Sequence, residues 1–298
     1  MHERPASASA DGDPVGASGP LVAAAELIGR LGEARLRVVD ARFELADPAA
    51  GKALYAAGHV PGAVHLDLDE DLAAPPGPGG RHPLPDPEVL ARRLAELGIG
   101  DEHEVVVYDQ TGTMYAARAW WLLRYLGHER VRFLDGGLGA YLAEGGPLTG
   151  VVPEHPPASF TARPRSGMVA LAEELLARGS DPRLVLLDAR APERYRGEVE
   201  PLDAVAGHVP GALNRPYTAS SCERGLLSPE ALREVHRLDR LPAGADVVAY
   251  CGSGVSAAHL VLALEVAGVP GARLYPGSWS EWSRRGLPAA TGDEEGTA

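Results

Sequence analysis

One series of short motifs is written twice along this chain, in the same order and at nearly constant spacing. Leu21-Val22-Ala23-Ala24-Ala25-Glu26-Leu27 is echoed by Val169-Ala170-Leu171-Ala172-Glu173-Glu174-Leu175, and Val38-Val39-Asp40-Ala41-Arg42 by Leu186-Leu187-Asp188-Ala189-Arg190, both 148 residues later. Gly58-His59-Val60-Pro61-Gly62-Ala63 returns as Gly207-His208-Val209-Pro210-Gly211-Ala212, offset by 149. Val105-Val106-Val107-Tyr108-Asp109 returns as Val247-Val248-Ala249-Tyr250-Cys251, offset by 142, and Leu134-Asp135-Gly136-Gly137-Leu138 as Tyr275-Pro276-Gly277-Ser278-Trp279, offset by 141. Chance similarity would not keep that order. The period is too long for a solenoid, so the chain is read as two copies of one globular domain. Its 298 residues agree, since domains average about 150 residues and each half is long enough to bury a core.

Each copy alternates short apolar runs with helical patterns. Leu184-Val185-Leu186-Leu187 and Asp246-Val247-Val248-Ala249-Tyr250 have the length and continuous apolarity of strands buried on both faces. Residues 169–177 carry apolar side chains at helical spacing. Ser228 before Pro229 reads as a capped helix start, and residues 256–267 as an apolar helix stopped by Gly268 and Pro270. Alternating strands and helices predict an α/β fold, two tandem domains each with a mostly parallel sheet flanked by helices. The expected organisation is a disordered tail over 1–20, a first domain over 21–150, a proline-rich linker over 151–165 and a second domain over 166–290.

Composition removes several classes of function. The formal net charge is −13, which opposes binding to a nucleic-acid backbone or an anionic membrane. No apolar run approaches the roughly 20 residues that span a bilayer. The N-terminal segment has acidic residues and no apolar centre, so a secretory signal is not expected and a cytoplasmic location is. The two cysteines, Cys222 and Cys251, are too few for a disulfide framework or a four-cysteine zinc site.

Cys251 is the residue with chemical promise. It ends a buried strand and opens Cys251-Gly252-Ser253-Gly254-Val255-Ser256, directly before a helix. Two glycines let the backbone curl, so that successive N–H groups and the helix N-terminus face the sulfur. Such surroundings favour an anionic sulfur; the ordinary alternative is an inert buried cysteine. Cys222 lies in a polar stretch beside Glu223 and carries no comparable signal. In the first copy the equivalent position is Asp109, a poor sulfur nucleophile. One copy is therefore expected to be a scaffold and the other to carry the chemistry.

The paired Asp-Ala-Arg and Gly-His-Val-Pro-Gly-Ala motifs, the loop from Cys251, and Gly277-Ser278-Trp279-Ser280-Glu281-Trp282 together resemble the tandem-domain rhodanese family of sulfurtransferases, over about residues 21–288. The resemblance implies a ping-pong reaction with no cofactor and no metal. Cys251 takes the outer sulfur of a small-molecule donor as a persulfide and hands it to a thiophilic acceptor such as cyanide or a thiol, a thioredoxin-like reductant among them. The uncharged Gly252-Ser253-Gly254 loop is similar to the 3-mercaptopyruvate branch, with Ser256 in place of that branch's threonine. The thiosulfate branch has basic residues there. By the same resemblance Ser253, His82 and Asp69 act together on the pyruvate leaving group, Arg194 binds the donor anion, and Gly252, Gly254, Val255 and Ser256 form the binding loop. Without the resemblance, His82 reads as a surface loop histidine and Asp69 as a turn or helix cap. A second family arginine falls at Leu202; Arg196 and Arg215 are the substitutes the sequence offers. Arg190, His59 and His208 have counterparts in both copies and read as fold-holding. Thiosulfate stays open as donor, and a non-catalytic sulfur carrier or binding module as the alternative of another class. A phosphatase of the same fold needs an arginine six positions after its cysteine, where this chain has Ala257.

Overall fold

The structure, a computed structural model, describes residues 19–293. Most of the expected tail lies outside that range. Pro20 is already tied to the sheet, its carbonyl accepting the Phe133 N–H at 2.8 Å.

The first domain runs β1 (Leu21–Val22), α1 (Ala24–Arg30), β2 (Leu36–Asp40), α2 (Ala50–Ala57), β3 (Ala63–His65), α3 (Pro87–Glu96), β4 (Glu104–Tyr108), α4 (Met114–Tyr125), β5 (Val131–Leu134) and α5 (Gly137–Ala143). Its five strands form one sheet in the order β1-β5-β4-β2-β3, every pairing parallel. The second domain runs α6 (Ala172–Ala177), β6 (Leu184–Asp188), α7 (Pro192–Tyr195), β7 (Leu213–Asn214), a short hairpin β8 (Ser221–Cys222) and β9 (Gly225–Leu226), α8 (Pro229–Val235), β10 (Asp246–Tyr250), α9 (Ser256–Val266), β11 (Arg273–Leu274) and α10 (Ser278–Arg284). Its parallel sheet has the order β11-β10-β6-β7. The helix expected from residue 169 begins at Ala172 instead, because Val169 is taken into the sheet edge by a parallel bridge to Leu274. Ser228 caps α8 as its sequence suggests, accepting the Ala231 N–H.

The duplication extends to buried polar contacts. Arg42 binds Asp40 and the Gly58 carbonyl, as Arg190 binds Asp188 and the Gly207 carbonyl. Tyr55 stacks on His59 as Tyr195 stacks on His208, with ring centroids 3.9 and 3.7 Å apart. These groups tie each sheet to its own loops. Residues 151–165 contain no helix or strand, yet they lie bonded along the first domain: Ala158 N–H to Ala95 O, Arg163 N–H to Leu126 O and Arg165 N–H to Tyr125 O.

In each domain a helix follows the central strand directly, and it is buried on all sides. Residues 116–123 of α4 and 257–264 of α9 are buried without exception. A helix with no solvent face must be covered by another element; here α4 and α9 pack on each other, and one apolar core runs through both domains. The loops at the N-terminal ends of these helices are those of Asp109 and Cys251.

Candidate active site

Cys251 follows β10 and is 1% exposed. Its N–H donates to Ser278 Oγ at 3.1 Å, and its carbonyl accepts the Trp279 N–H at 2.9 Å. Ser278 adopts φ +53°, a left-handed conformation unusual for a residue with a side chain. The loop then curls so that the Gly254 N–H donates to Cys251 Sγ at 3.1 Å. Gly254 has φ +76°, and a Cβ there would stand 2.5 Å from the Pro276 carbonyl oxygen, so only glycine fits. Val255 is buried at the cap position of α9 and Ser256 is that helix's first residue.

The first-domain loop gives the same cradle with its occupant built in. Asp109 is buried, and its carboxylate accepts N–H groups of Thr111, Thr113, Tyr115 and Ala116 at 2.9 to 3.2 Å. Burial raises its pKa against the pull of those donors. The first domain thus holds a fixed carboxylate where the second holds a sulfur.

The loop over Cys251 is completed by the first domain. His82, 6% exposed, has Nδ1 2.8 Å from Ser253 Oγ, and its Nε2 is 3.4 Å from Asp69 Oδ1. The three side chains sit in line, Asp69 outermost and half-exposed. Asp69 is not the cap of its turn: Asp67 accepts the N–H groups of Asp69 and Glu70, leaving the Asp69 carboxylate free to face His82. Burial above all, with help from the Arg118 and Arg81 charges, lowers the His82 pKa to about 4. Its ring is neutral at ordinary pH and can pass a proton between its two nitrogens' partners. Burial chiefly, then Asp67 and Glu70, pushes Asp69 upward.

Two guanidinium groups flank Gly252. A Cβ built on Gly252 would lie 3.2 Å from Arg81 Nη2 and 3.5 Å from Arg194 Nη1. Arg81 comes from the first domain and is held by Asp203 at 2.8 and 3.3 Å; Arg194 is held by Glu200 at 2.6 Å. The buried Nε of Arg194 has no hydrogen-bond partner, a free donor beside the loop. The substitutes offered for Leu202 are elsewhere: Arg196 pairs with Glu198, and Arg215 Nε donates to the His236 carbonyl. The second guanidinium at the site is Arg81, which sequence reasoning missed although it adjoins His82. Arg118 was missed as well. It is the one charged residue in the buried run 116–123 of α4, and it donates to the Gly254 and His82 carbonyls. Cys222 is exposed on the β8–β9 hairpin.

Comparison with known proteins follows the same outline. The family model described as Rhodanese-like domain matches twice, over residues 23–144 and 171–285. A Pseudomonas aeruginosa protein named "Probable 3-mercaptopyruvate sulfurtransferase" is 47% identical over 286 residues, covering 93% of this chain and 99% of that one. Thiosulfate sulfurtransferase of Rattus norvegicus is 35% identical, covering 85% and 86% of the two chains. The crystal structure of the 3-mercaptopyruvate sulfurtransferase SseA from Escherichia coli superposes with a TM-score of 0.79 at 33% identity, over 89% of this chain and all of that one. Among the described residues no helix is long and apolar enough to cross a membrane.

Proposed function

Because this chain belongs to the rhodanese family and is a tandem-domain sulfurtransferase, we propose that it takes sulfur from 3-mercaptopyruvate onto Cys251 and passes it to cyanide or a thiol. Identity of 47% over 93% of the chain to a protein named as a sulfurtransferase weighs against a mere binding module. The observation that carries the donor reading is the 2.8 Å contact between His82 Nδ1 and Ser253 Oγ at the rim of the cysteine loop. The Cys251 thiolate attacks the donor sulfur. An S–S bond forms and the C–S bond breaks, its electron pair leaving as the enolate of pyruvate. The donor's thiol proton must end on that enolate carbon. Ser253 and a neutral His82 form a relay that can accept and return a proton without changing charge, and Asp69 orients the ring. In the second half-reaction the acceptor attacks the outer sulfur, and Cys251 is released as thiolate.

Arg81 and Arg194 grip the donor's carboxylate, as planar guanidinium groups bind planar anions. Gly252 leaves them room, Gly254 turns an N–H toward the sulfur, and Val255 and Ser256 start the helix whose N-terminus faces the site. The same two cations suit thiosulfate, the second reading, in which sulfite departs as a stable anion and the relay is idle. We further assign action in the cytoplasm with a thioredoxin-like reductant as thiol acceptor, which the unpaired, exposed Cys222 suits. Steady-state rates with each donor and a common acceptor test the choice: a higher kcat/KM for 3-mercaptopyruvate is expected, and a higher value for thiosulfate would reverse it.

A further inference from the structure

Arg118 is a charge without a countercharge. It is fully buried between the domains. Nε donates to Leu72 O at 3.3 Å, Nη1 to Gly254 O at 3.1 Å, and Nη2 to His82 O and Pro83 O at 3.2 and 3.3 Å. All four acceptors are backbone carbonyls, and no carboxylate pairs with Arg118 among the described residues. A buried cation in a folded protein is expected to meet an anion, since hydrogen bonds to neutral groups repay only part of its lost hydration.

The other charged groups here are matched, or are satisfied without a cation: Asp69 is half-exposed beyond His82, and Asp109 is bonded to the N–H groups of its own loop. Arg81 is held by Asp203 and Arg194 by Glu200, His82 is neutral, and Tyr217 is a phenol that burial and the nearby Cys251 hold protonated. What remains is the sulfur. Gly254 joins the two: its carbonyl takes the Arg118 Nη1 while its N–H donates to Cys251 Sγ. We propose that Arg118, carried by the domain that lacks the cysteine, is the countercharge of the Cys251 sulfur in its thiolate and persulfide forms. Burial pulls the Arg118 guanidinium down to about 10, and the Cys251 charge is what holds it up. Arg118 is a positioning residue. It acts through Cys251, and through His82, whose neutral ring its charge also favours.

The proposal rests on the sulfur-transfer reading only for its consequence in turnover, so the test reads the thiol itself. Iodoacetamide alkylation of Cys251 is followed against pH in the full-length protein carrying Cys222→Ser. Arg118→Gln should move the profile to the alkaline side by about one pH unit or more, with an unchanged alkaline plateau. The rate at pH 7 then falls roughly tenfold. Arg118→Lys, which keeps the charge, should stay near the parent profile. An unmoved profile in Arg118→Gln overturns the proposal. So does an equal alkaline shift in both variants, because that would mark a purely structural role. Should Arg118→Gln fail to fold, an alkaline shift in folded Arg118→Lys still overturns it and a parental profile supports it. Thermal melts of Cys251→Asp and Cys251→Asn give an independent reading with Arg118 intact. The aspartate variant should melt several degrees higher, about the scale of one new buried ion pair, and equal melting temperatures would refute the pairing. Loss of donor turnover with a normal alkylation response would count against the function and leave the countercharge standing.

Discussion

Removing the Ser253 hydroxyl or the His82 ring should damage reaction with one donor and largely spare the other. The two groups meet at 2.8 Å and both are nearly buried, so bulk solvent has little access to take over the proton transfer. Positioned acid–base help is worth about 10² to 10⁴ in rate. The lower end applies here. His82 passes protons as a neutral ring, and its bond to half-exposed Asp69 is long at 3.4 Å, so the relay is weakly polarised. Ser253→Ala and His82→Ala should each lower kcat/KM for 3-mercaptopyruvate about 10²-fold, near 2.7 kcal/mol. The double variant should lose little more, since both groups serve one relay. Thiosulfate turnover should change by less than about fivefold. Asp69→Asn should cost only a few-fold, as expected for an exposed partner. The assay is initial-rate thiocyanate formation from each donor, read as the ratio of the two kcat/KM values. Because His82 protonates only near pH 4, that ratio should be flat from about pH 5.5 to 8 in the wild type. A ratio unchanged by Ser253→Ala and His82→Ala refutes the relay; an acid limb near pH 6.5 refutes the neutral histidine.

Cys251→Ser should abolish turnover while Cys222→Ser leaves it nearly intact, and donor treatment should add about 32 Da, one sulfur atom, to the Cys251 peptide by mass spectrometry. Asp109→Cys should create no measurable transfer in the first domain, because that loop has Gln110 where the active loop has Gly252; turnover surviving in Asp109→Cys combined with Cys251→Ser would contradict this. Stability should fall between pH 6.5 and 4. His82, His236 and His259 are each held at about 4 by burial, so unfolding takes up their protons in that window. The contribution is full above pH 6.5 and lost as pH falls through the folded value, up to about 3 kcal/mol per histidine. The raised carboxyls of Asp109 and Asp135 offset part of the loss. Denaturant titrations across the window should show a shallower slope for His236→Gln, and a pH-independent midpoint would refute the assignment.

What could be read from the chain and what could not divide along sequence distance. The repeat carried the architecture because strands, Asp-Arg pairs and Gly-His turns recur at matched positions, and each is a local signal. Cys251 was legible because Gly252 and Gly254 beside it announce a backbone turned toward the sulfur. The helix at 169 was misjudged by three residues because strand pairing with Leu274 outweighed local apolar spacing. Arg81 and Arg118 went unseen for a different reason. Arg81 finds Asp203 122 residues away and Arg118 finds Gly254 136 residues away. Backbone carbonyl acceptors leave no trace in the residue types. The one sign was a single arginine inside Ala116-Ala117-Arg118-Ala119-Trp120-Trp121, a charge where the pattern demanded an apolar side chain.

The packing of α9 on α4 also sets an order of events during synthesis. The first half leaves the ribosome first and can complete its own sheet, with Asp109 closing its own loop. When the second half follows, α9 has no finished surface on its outer side until it meets α4. Until then its cysteine loop meets neither the His82 ring at Ser253 nor the Arg118 guanidinium at Gly254. A nascent or half-assembled chain therefore has the cysteine loop without the first-domain groups that complete it. The site is whole only once the second domain docks on the first, so assembly of the interface and completion of the cysteine loop are one event.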